Sequence, residues 1–129
     1  MVIDTNILFS ALIGNSKCID IILRNEVYAP KFILAEVFKH KEKIKKYSKI
    51  EIDRFIFEIL SEIIIIDERF IPLHIRQKAK ELCIDIDIKD ALFVGLSIYL
   101  NKPLLTGDKK LINGLKNKGF KHIIELKEL

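Results

Sequence analysis

The chain has 129 residues, of which 50% are hydrophobic and 31% are charged, so it can build a core and disorder is excluded. Lysine and arginine outnumber aspartate and glutamate by 22 to 18, giving a formal net charge of +4. No apolar stretch approaches the roughly 20 residues that span a bilayer, and no signal-peptide pattern is present. We therefore expect one domain over residues 1–129, located in the cytoplasm and without membrane contact.

Short apolar runs alternate with segments of helical periodicity along the chain. The strands are predicted, in order, at residues 1–4, 27–29, 63–66, 104–106 and 122–126. The helices are predicted at residues 6–13, 16–25, 32–47, 48–61, 71–83, 87–100 and 108–118. This alternation indicates an α/β layered domain with a mostly parallel sheet.

Several local features add detail to these elements. Ser16 is expected to cap the second helix, and Ser48 to Glu51 have the form of a capping box. Phe38 is expected on the apolar face of the helix at 32–47. The four consecutive isoleucines at 63–66 are typical of a strand covered on both faces. Cys18 and Cys83 have no neighbouring cysteine or histidine cluster, so we expect them in the core rather than in a zinc site or disulfide.

Acidic residues follow the predicted strands. Asp4 ends the first strand, Glu36 lies in the helix after the second, Asp87 and Asp90 open the helix before the fourth, and Asp108 follows the fourth. Each alone is more often a helix cap or a solvated residue. In an open parallel sheet, however, ligands bind beyond the carboxyl ends of the strands. Carboxylates gathered there repel each other, and a divalent cation with a preference for oxygen, Mg²⁺ or Mn²⁺, would relieve that repulsion.

Four segments around these acids resemble the motifs of the PIN-domain ribonucleases, a family that includes the VapC toxins of toxin–antitoxin pairs and stand-alone archaeal proteins. The segments are Val2-Ile3-Asp4-Thr5-Asn6-Ile7-Leu8, Leu34-Ala35-Glu36-Val37, Asp87-Ile88-Lys89-Asp90-Ala91-Leu92-Phe93-Val94-Gly95-Leu96 and Leu104-Leu105-Thr106-Gly107-Asp108-Lys109. Each motif alone is weak, but four in the family's order form a specific pattern over essentially the whole chain.

The resemblance implies a three-layer fold with a five-stranded parallel sheet in the order 3-2-1-4-5, which places the first and fourth strands side by side. Carried over position by position, Asp4, Glu36, Asp90 and Asp108 match the acidic quartet of the family. Asp4, Asp90 and Asp108 would hold one or two Mg²⁺ or Mn²⁺ ions, and Glu36 would act from the rim. Asp87 would either bind metal or cap its helix. The hydrogen-bonding side chains that would support the site are those of Thr5, Asn6 and Thr106.

The implied activity is hydrolysis of RNA within the strand, leaving 5′-phosphate and 3′-hydroxyl ends. If the chain is the toxin of a VapBC-type pair, a small antitoxin protein is an expected partner, and a homodimer or higher oligomer is expected because PIN toxins commonly dimerise. The alternatives are a PIN nuclease of RNA processing or decay and a non-catalytic PIN-like module that binds RNA or protein. A haloacid-dehalogenase-type phosphatase is disfavoured because Asn6 stands where its second aspartate is needed.

The positive charge is concentrated in residues 39–49, which contain six lysines and one glutamate, while the other 118 residues sum to −1. This basic segment begins one helical turn after Glu36, and we expect it to contact the RNA backbone. The interpretation as a solvated helix end stays open. The lysines predicted to bind RNA are Lys39, Lys43, Lys46 and Lys109. The three histidines lie outside the acidic motifs and are interpreted as surface or packed residues: His40, His74 and His122.

Overall fold

The chain adopts an α/β fold in three layers, seen in a computed structural model that describes residues 1–47 and 51–129. The strands are β1 (Val2–Ile3), β2 (Val27–Pro30), β3 (Ile63–Ile66), β4 (Leu104–Thr106) and β5 (Ile123–Glu125). They form one parallel sheet in the order β3-β2-β1-β4-β5. The predicted fold class and strand order are therefore confirmed, including the adjacency of β1 and β4.

Helices flank the sheet on both faces. They are α1 (Thr5–Leu12), α2 (Ser16–Arg24), α3 (Phe32–Lys39), α4 (Lys41–Tyr47), α5 (Ile52–Ser61), α6 (Leu73–Cys83), α7 (Ala91–Leu100) and α8 (Lys109–Asn117). Short 3₁₀ turns occupy Glu68–Phe70, Ile88–Asp90 and Leu126–Glu128. Within the described residues, no single helix is long and apolar enough to cross a membrane, and α1 with α2 meets that test only as a pair bent by 113°.

The sheet and the inward faces of the helices supply the core. The strand residues Val2, Ile3, Leu104 and Leu105 are fully buried, as are Cys18 and Cys83, which pack as the small apolar residues expected from the sequence. The two helices α6 and α7 pack closely where Gly95 faces Ala79, whose Cβ would lie 3.5 Å from a Cβ at position 95. This packing fixes the start of α7, where two of the acidic residues lie.

The predicted helix at 32–47 is wrong in one respect, because it divides at His40 into α3 and α4. The backbone of His40 leaves the helical region (φ −106°, ψ 12°), while its ring packs edge-on against Phe9 with centroids 5.5 Å apart. The sequence around His40 contains no glycine or proline that would predict a break in the helix. The break instead coincides with the contact between the His40 ring and Phe9 of α1. Phe38 is also 64% exposed rather than interior, because Ile33 and Val37 already fill the buried face of α3.

Two further local predictions need correction. The cap of α2 is Asn15, whose Oδ1 accepts a hydrogen bond from the Cys18 N–H (3.0 Å), and Ser16 is the first helical residue. Strand β3 is not covered on both faces, because it forms an edge of the sheet and leaves Ile64 43% exposed. The capping box predicted at Ser48 lies outside the described residues.

Candidate active site

Asp4 lies at the point where β1 ends and α1 begins, and only 4% of it is exposed. Its Oδ1 accepts a hydrogen bond from the Ile7 N–H (3.0 Å), which caps α1. Its Oδ2 accepts one from the Thr106 hydroxyl (2.6 Å), which reaches it from the neighbouring strand β4. Both carboxylate oxygens are therefore held in place by the junction of β1, α1 and β4.

Thr106 also connects Asp4 to Asp108. Its Oγ1 accepts a hydrogen bond from the Asp108 N–H (3.1 Å) while it donates to Asp4. Asp108 in turn caps α8, with Oδ1 accepting from the N–H groups of Lys110 (3.0 Å) and Leu111 (3.2 Å). The parallel pairing of β1 with β4 thus brings two acids that are distant in sequence to the same edge of the sheet.

The predicted acids line one cleft, except for Asp108. The cleft has a volume of about 270 Å³. Its polar lining comes from Asp4, Thr5, Asn6, Glu36, Asp87 and Asp90, together with His40 and Lys89. Asp108 lines an adjoining cavity of about 320 Å³, which shares Asn6 with the cleft. The structure therefore collects the acids from both halves of the chain around one groove.

The electrostatics of the cleft show mutual repulsion between these carboxylates. The pKa of Asp90 is raised to about 6. Burial is the largest cause, and the negative charges of Asp87, Asp4 and Asp108 add to it. Burial also raises the pKa of Asp4, although its hydrogen bonds from Thr106 and Ile7 oppose the rise, and Asp108 adds to it. Concentrated negative charge of this kind favours either a bound proton or a bound cation.

His40 and Lys89 are polar residues of the cleft that were not among the predicted site residues. His40 is the one whose side chain contacts a predicted acid. Its Nε2 lies 3.6 Å from the Oε2 of Glu36, one helical turn earlier, and its ring packs against Phe9. Three phenylalanines line the cleft as well: Phe9, Phe32 and Phe93. The spacing of four residues between Glu36 and His40 was the available signal, since side chains so placed lie on the same side of a helix.

The donor set suits a hard divalent cation, because it consists of carboxylate and hydroxyl oxygens. In the present rotamers, however, no three His, Cys, Asp or Glu side chains of the described residues are grouped closely enough to hold a metal ion. Several oxygens are turned to local hydrogen bonds, as in Asp108 and in Asp87, whose Oδ1 accepts from the Lys89 N–H (3.0 Å). Asp90 makes no capping hydrogen bond and is available to a ligand. The residues fit a cation chemically, and direct ligation requires some of them to turn.

The predicted RNA-binding lysines come from three helices, α3, α4 and α8. Lys39 ends α3 and is followed directly by His40 of the cleft, while Lys43 and Lys46 are exposed on α4. The Nζ of Lys46 lies 5.9 Å from the ring centroid of Tyr47. Lys109 begins α8 and lines a cavity on the far side of Asp108. These side chains are exposed, so nothing within the described residues prevents contact with a polyanion.

Comparisons with known proteins bear on both fold and family. A family model described as "PIN domain" matches residues 2–127. A chain of a toxin–antitoxin complex from Klebsiella pneumoniae is similar in structure, with a TM-score of 0.69 and 17% sequence identity, covering 97% of this chain and 96% of that one. No match is found among curated protein sequences. The similarity to the Klebsiella chain, at this identity, concerns the fold.

Proposed function

The chain belongs to the PIN domain family, and we propose from this membership that it is a metal-dependent ribonuclease that hydrolyses phosphodiester bonds in RNA. The observation that carries the proposal is the acidic cleft, where burial and mutual repulsion raise the pKa of Asp90 to about 6. Because ionised carboxylates are unfavourable in this cleft, a bound cation that neutralises them would be stabilising.

In this proposal Asp4, Asp90 and Asp108 hold one or two Mg²⁺ or Mn²⁺ ions, with Asp87 as a further ligand and Glu36 at the rim. When bound, such an ion activates a water molecule and neutralises phosphoryl charge. The surrounding residues hold the Asp4 carboxylate in place and shield it from solvent. Thr106 and the Ile7 N–H fix the Asp4 carboxylate, and it is only 4% exposed.

Other polar groups of the cleft would position the substrate. Thr5 and Asn6 line the cleft beside Asp4 and offer hydrogen bonds to phosphate oxygens or water. The predicted contacts to the RNA backbone come from Lys39, Lys43 and Lys46 on one side and Lys109 on the other. Because such contacts release counterions, we expect RNA affinity to fall steeply as salt is raised.

The direct test compares RNA cleavage by the wild type, Asp4→Asn and Asp20→Asn in Mn²⁺, with EDTA as a control. Asparagine caps a helix as well as aspartate, so Asp4→Asn should fold while losing more than about a hundredfold in rate. Asp20 is an exposed acid that pairs with Arg24 (3.2 Å), and its replacement should leave cleavage unchanged. End sequencing should show 5′-phosphate and 3′-hydroxyl products. Full activity of Asp4→Asn, or cleavage that survives EDTA, would refute the mechanism.

We propose further that the chain is the toxin of a VapBC-type pair, in which a small antitoxin protein is the partner. The similar chain from the Klebsiella toxin–antitoxin complex supports this role. Induced expression in a bacterial host should halt growth, and Asp4→Asn should not. Cleavage without growth arrest would favour RNA processing or decay, and RNA binding without cleavage would favour a non-catalytic module. The predicted homodimer is tested by light scattering, and the cytoplasmic location stays a prediction.

A further inference from the structure

A second group of charged side chains lies on the far side of Asp108, in a cavity of about 320 Å³. Three lysines from separate elements meet there: Lys17 from the first turn of α2, Lys109 from the first turn of α8, and Lys127 from the 3₁₀ turn after β5. The rest of the lining is Gly107, Glu125 and Leu126. We call this the lysine cavity.

The lysine cavity adjoins the cavity that Asp108 lines. These two cavities share Gly107 and Leu126, and the cavity of Asp108 shares Asn6 with the acidic cleft. Gly107 presents no side chain there, and the nearest atom to a Cβ at this position would be a methyl of Leu126 at 3.9 Å. The lysines therefore lie next to the acids on the Asp108 side of the cleft.

The charge balance of the lysine cavity favours an anion. Its one acid, Glu125, pairs with Lys127 (3.2 Å). In the part of the chain that the structure describes, neither Lys17 nor Lys109 forms an ion pair. All three lysines are exposed at the mouth of the cavity. With three lysines and one glutamate, the lining carries an excess of positive charge, which would attract a phosphate group.

We propose that the lysine cavity binds the phosphate backbone of the substrate strand on the Asp108 side of the cleft. This inference rests on the proposed function and adds Lys17 and Lys127 to the residues that hold RNA. Lys39, which directly precedes His40 of the cleft, and Lys43 and Lys46 on α4 would contact the strand at a second place. The strand would then be held at two places, with the acids between them.

The test measures binding of a labelled single-stranded RNA as a function of salt, by fluorescence anisotropy in the Asp4→Asn background with Mg²⁺. The variant is Lys17→Ala with Lys127→Ala. The matched control is Lys116→Ala with Lys121→Ala, which removes the same charge from exposed positions that line neither the cleft nor the two adjoining cavities. Thermal unfolding checks that both double variants fold. Wild-type cleavage is measured in parallel, so that failure of the proposed function is seen separately.

Each phosphate contact in a single strand contributes about 0.7 to the slope of log affinity against log salt, so the Lys17/Lys127 variant should lose about 1.4 from the slope. Over a fourfold rise in salt, its affinity should therefore fall about sevenfold less than that of the wild type. The control should keep the wild-type slope. Equal slopes for the variant and the control, in a protein that binds and cleaves RNA, would overturn the inference while leaving the proposed function intact. If the slope decreased by the same amount in the Lys17/Lys127 variant and in the Lys116/Lys121 control, the inference would also be overturned, because the effect would then come from net charge alone.

Discussion

Replacing Asp90 by asparagine should stabilise the cation-free protein while removing a proposed cation ligand. Burial, followed by the charges of Asp87, Asp4 and Asp108, raises the pKa of Asp90 to about 6. In the unfolded chain the carboxyl keeps its ordinary value of 3.8, so ionising it destabilises the folded state. The Asp90 side chain makes no capping hydrogen bond at the start of α7, and the substitution therefore loses none.

The size of the effect follows from this pKa difference. A rise from 3.8 to about 6 corresponds to about 3 kcal/mol, at roughly 1.4 kcal/mol per pH unit. The carboxyl is only half-buried, and screening by water reduces this to about 1–2 kcal/mol. The substitution also removes a negative charge that interacts favourably with the N-terminal end of the α7 dipole, and this loss reduces the gain in stability by ~0.3–1 kcal/mol. The net gain is about 1 kcal/mol, which raises the Tm of a chain of this size by about 3–5 °C.

The assay is thermal unfolding of the wild type and Asp90→Asn in EDTA across a pH series. Because Asp90 is protonated in both states at low pH, the gain should be small near about pH 4, grow as pH rises, and level off above about pH 6.5. Adding Mn²⁺ should raise the Tm of the wild type more than that of the variant. Asp20→Asn is the control for removal of an exposed acid. A variant no more stable than the wild type near about pH 7.5, or equally more stable near about pH 4, would refute the reasoning.

Three further predictions concern the surroundings of the site. Thr106→Val removes the hydroxyl that donates to the buried Asp4 carboxylate and should cost about 1–3 kcal/mol in urea unfolding, whereas Thr106→Ser should restore most of it. Gly114→Ala should destabilise the protein by about 1–3 kcal/mol, because a Cβ there would overlap the Cδ1 and Cγ1 of Ile86, and adding Ile86→Ala should recover part of the loss. The Cys83 thiol, whose pKa is raised to about 11 chiefly by burial, should resist thiol reagents at neutral pH until the protein unfolds; labelling in the native state would contradict this.

The positions of the strands along the chain were accessible from the sequence because short apolar runs and helical periodicity are local signals, whereas their order in the sheet was implied by the resemblance to the PIN-domain ribonucleases. β3 and β4 occupy the predicted residues, and the other strands differ at their ends by a few positions. The division at His40 was not accessible, since it depends on a contact with Phe9 from a distant part of the chain. The exposure of Ile64 was missed for a related reason: an edge strand and a central strand can have the same composition.

Asp4 and Asp108 were accessible because each follows a strand end, and parallel strands end at one edge of the sheet. Asp87 and Asp90 lie before β4 instead, and the family resemblance pointed to them. The hydrogen bonds that hold these acids could not be predicted from the sequence. The bond from the Thr106 hydroxyl to the Asp4 carboxylate, for example, depends on the register of β1 against β4. Of the three lysines in the lysine cavity, only Lys109 was predicted from the sequence to bind RNA. Lys17 and Lys127 are far apart in the sequence. Outside residues 39–49 the chain has a net charge of −1, so no local excess of positive charge pointed to either lysine.

The contact between Asp4 and Thr106 joins residues 102 positions apart, so it has a consequence for the order of events during synthesis. Asp4 leaves the ribosome first, and its partner Thr106 on β4 emerges 102 residues later. At about 5–20 residues per second, many seconds separate the two. A nascent chain therefore cannot assemble this corner of the sheet, and a polypeptide truncated before β4 should leave the Asp4 carboxylate without its hydroxyl donor. Translation itself postpones completion of this part of the site until β4 has emerged.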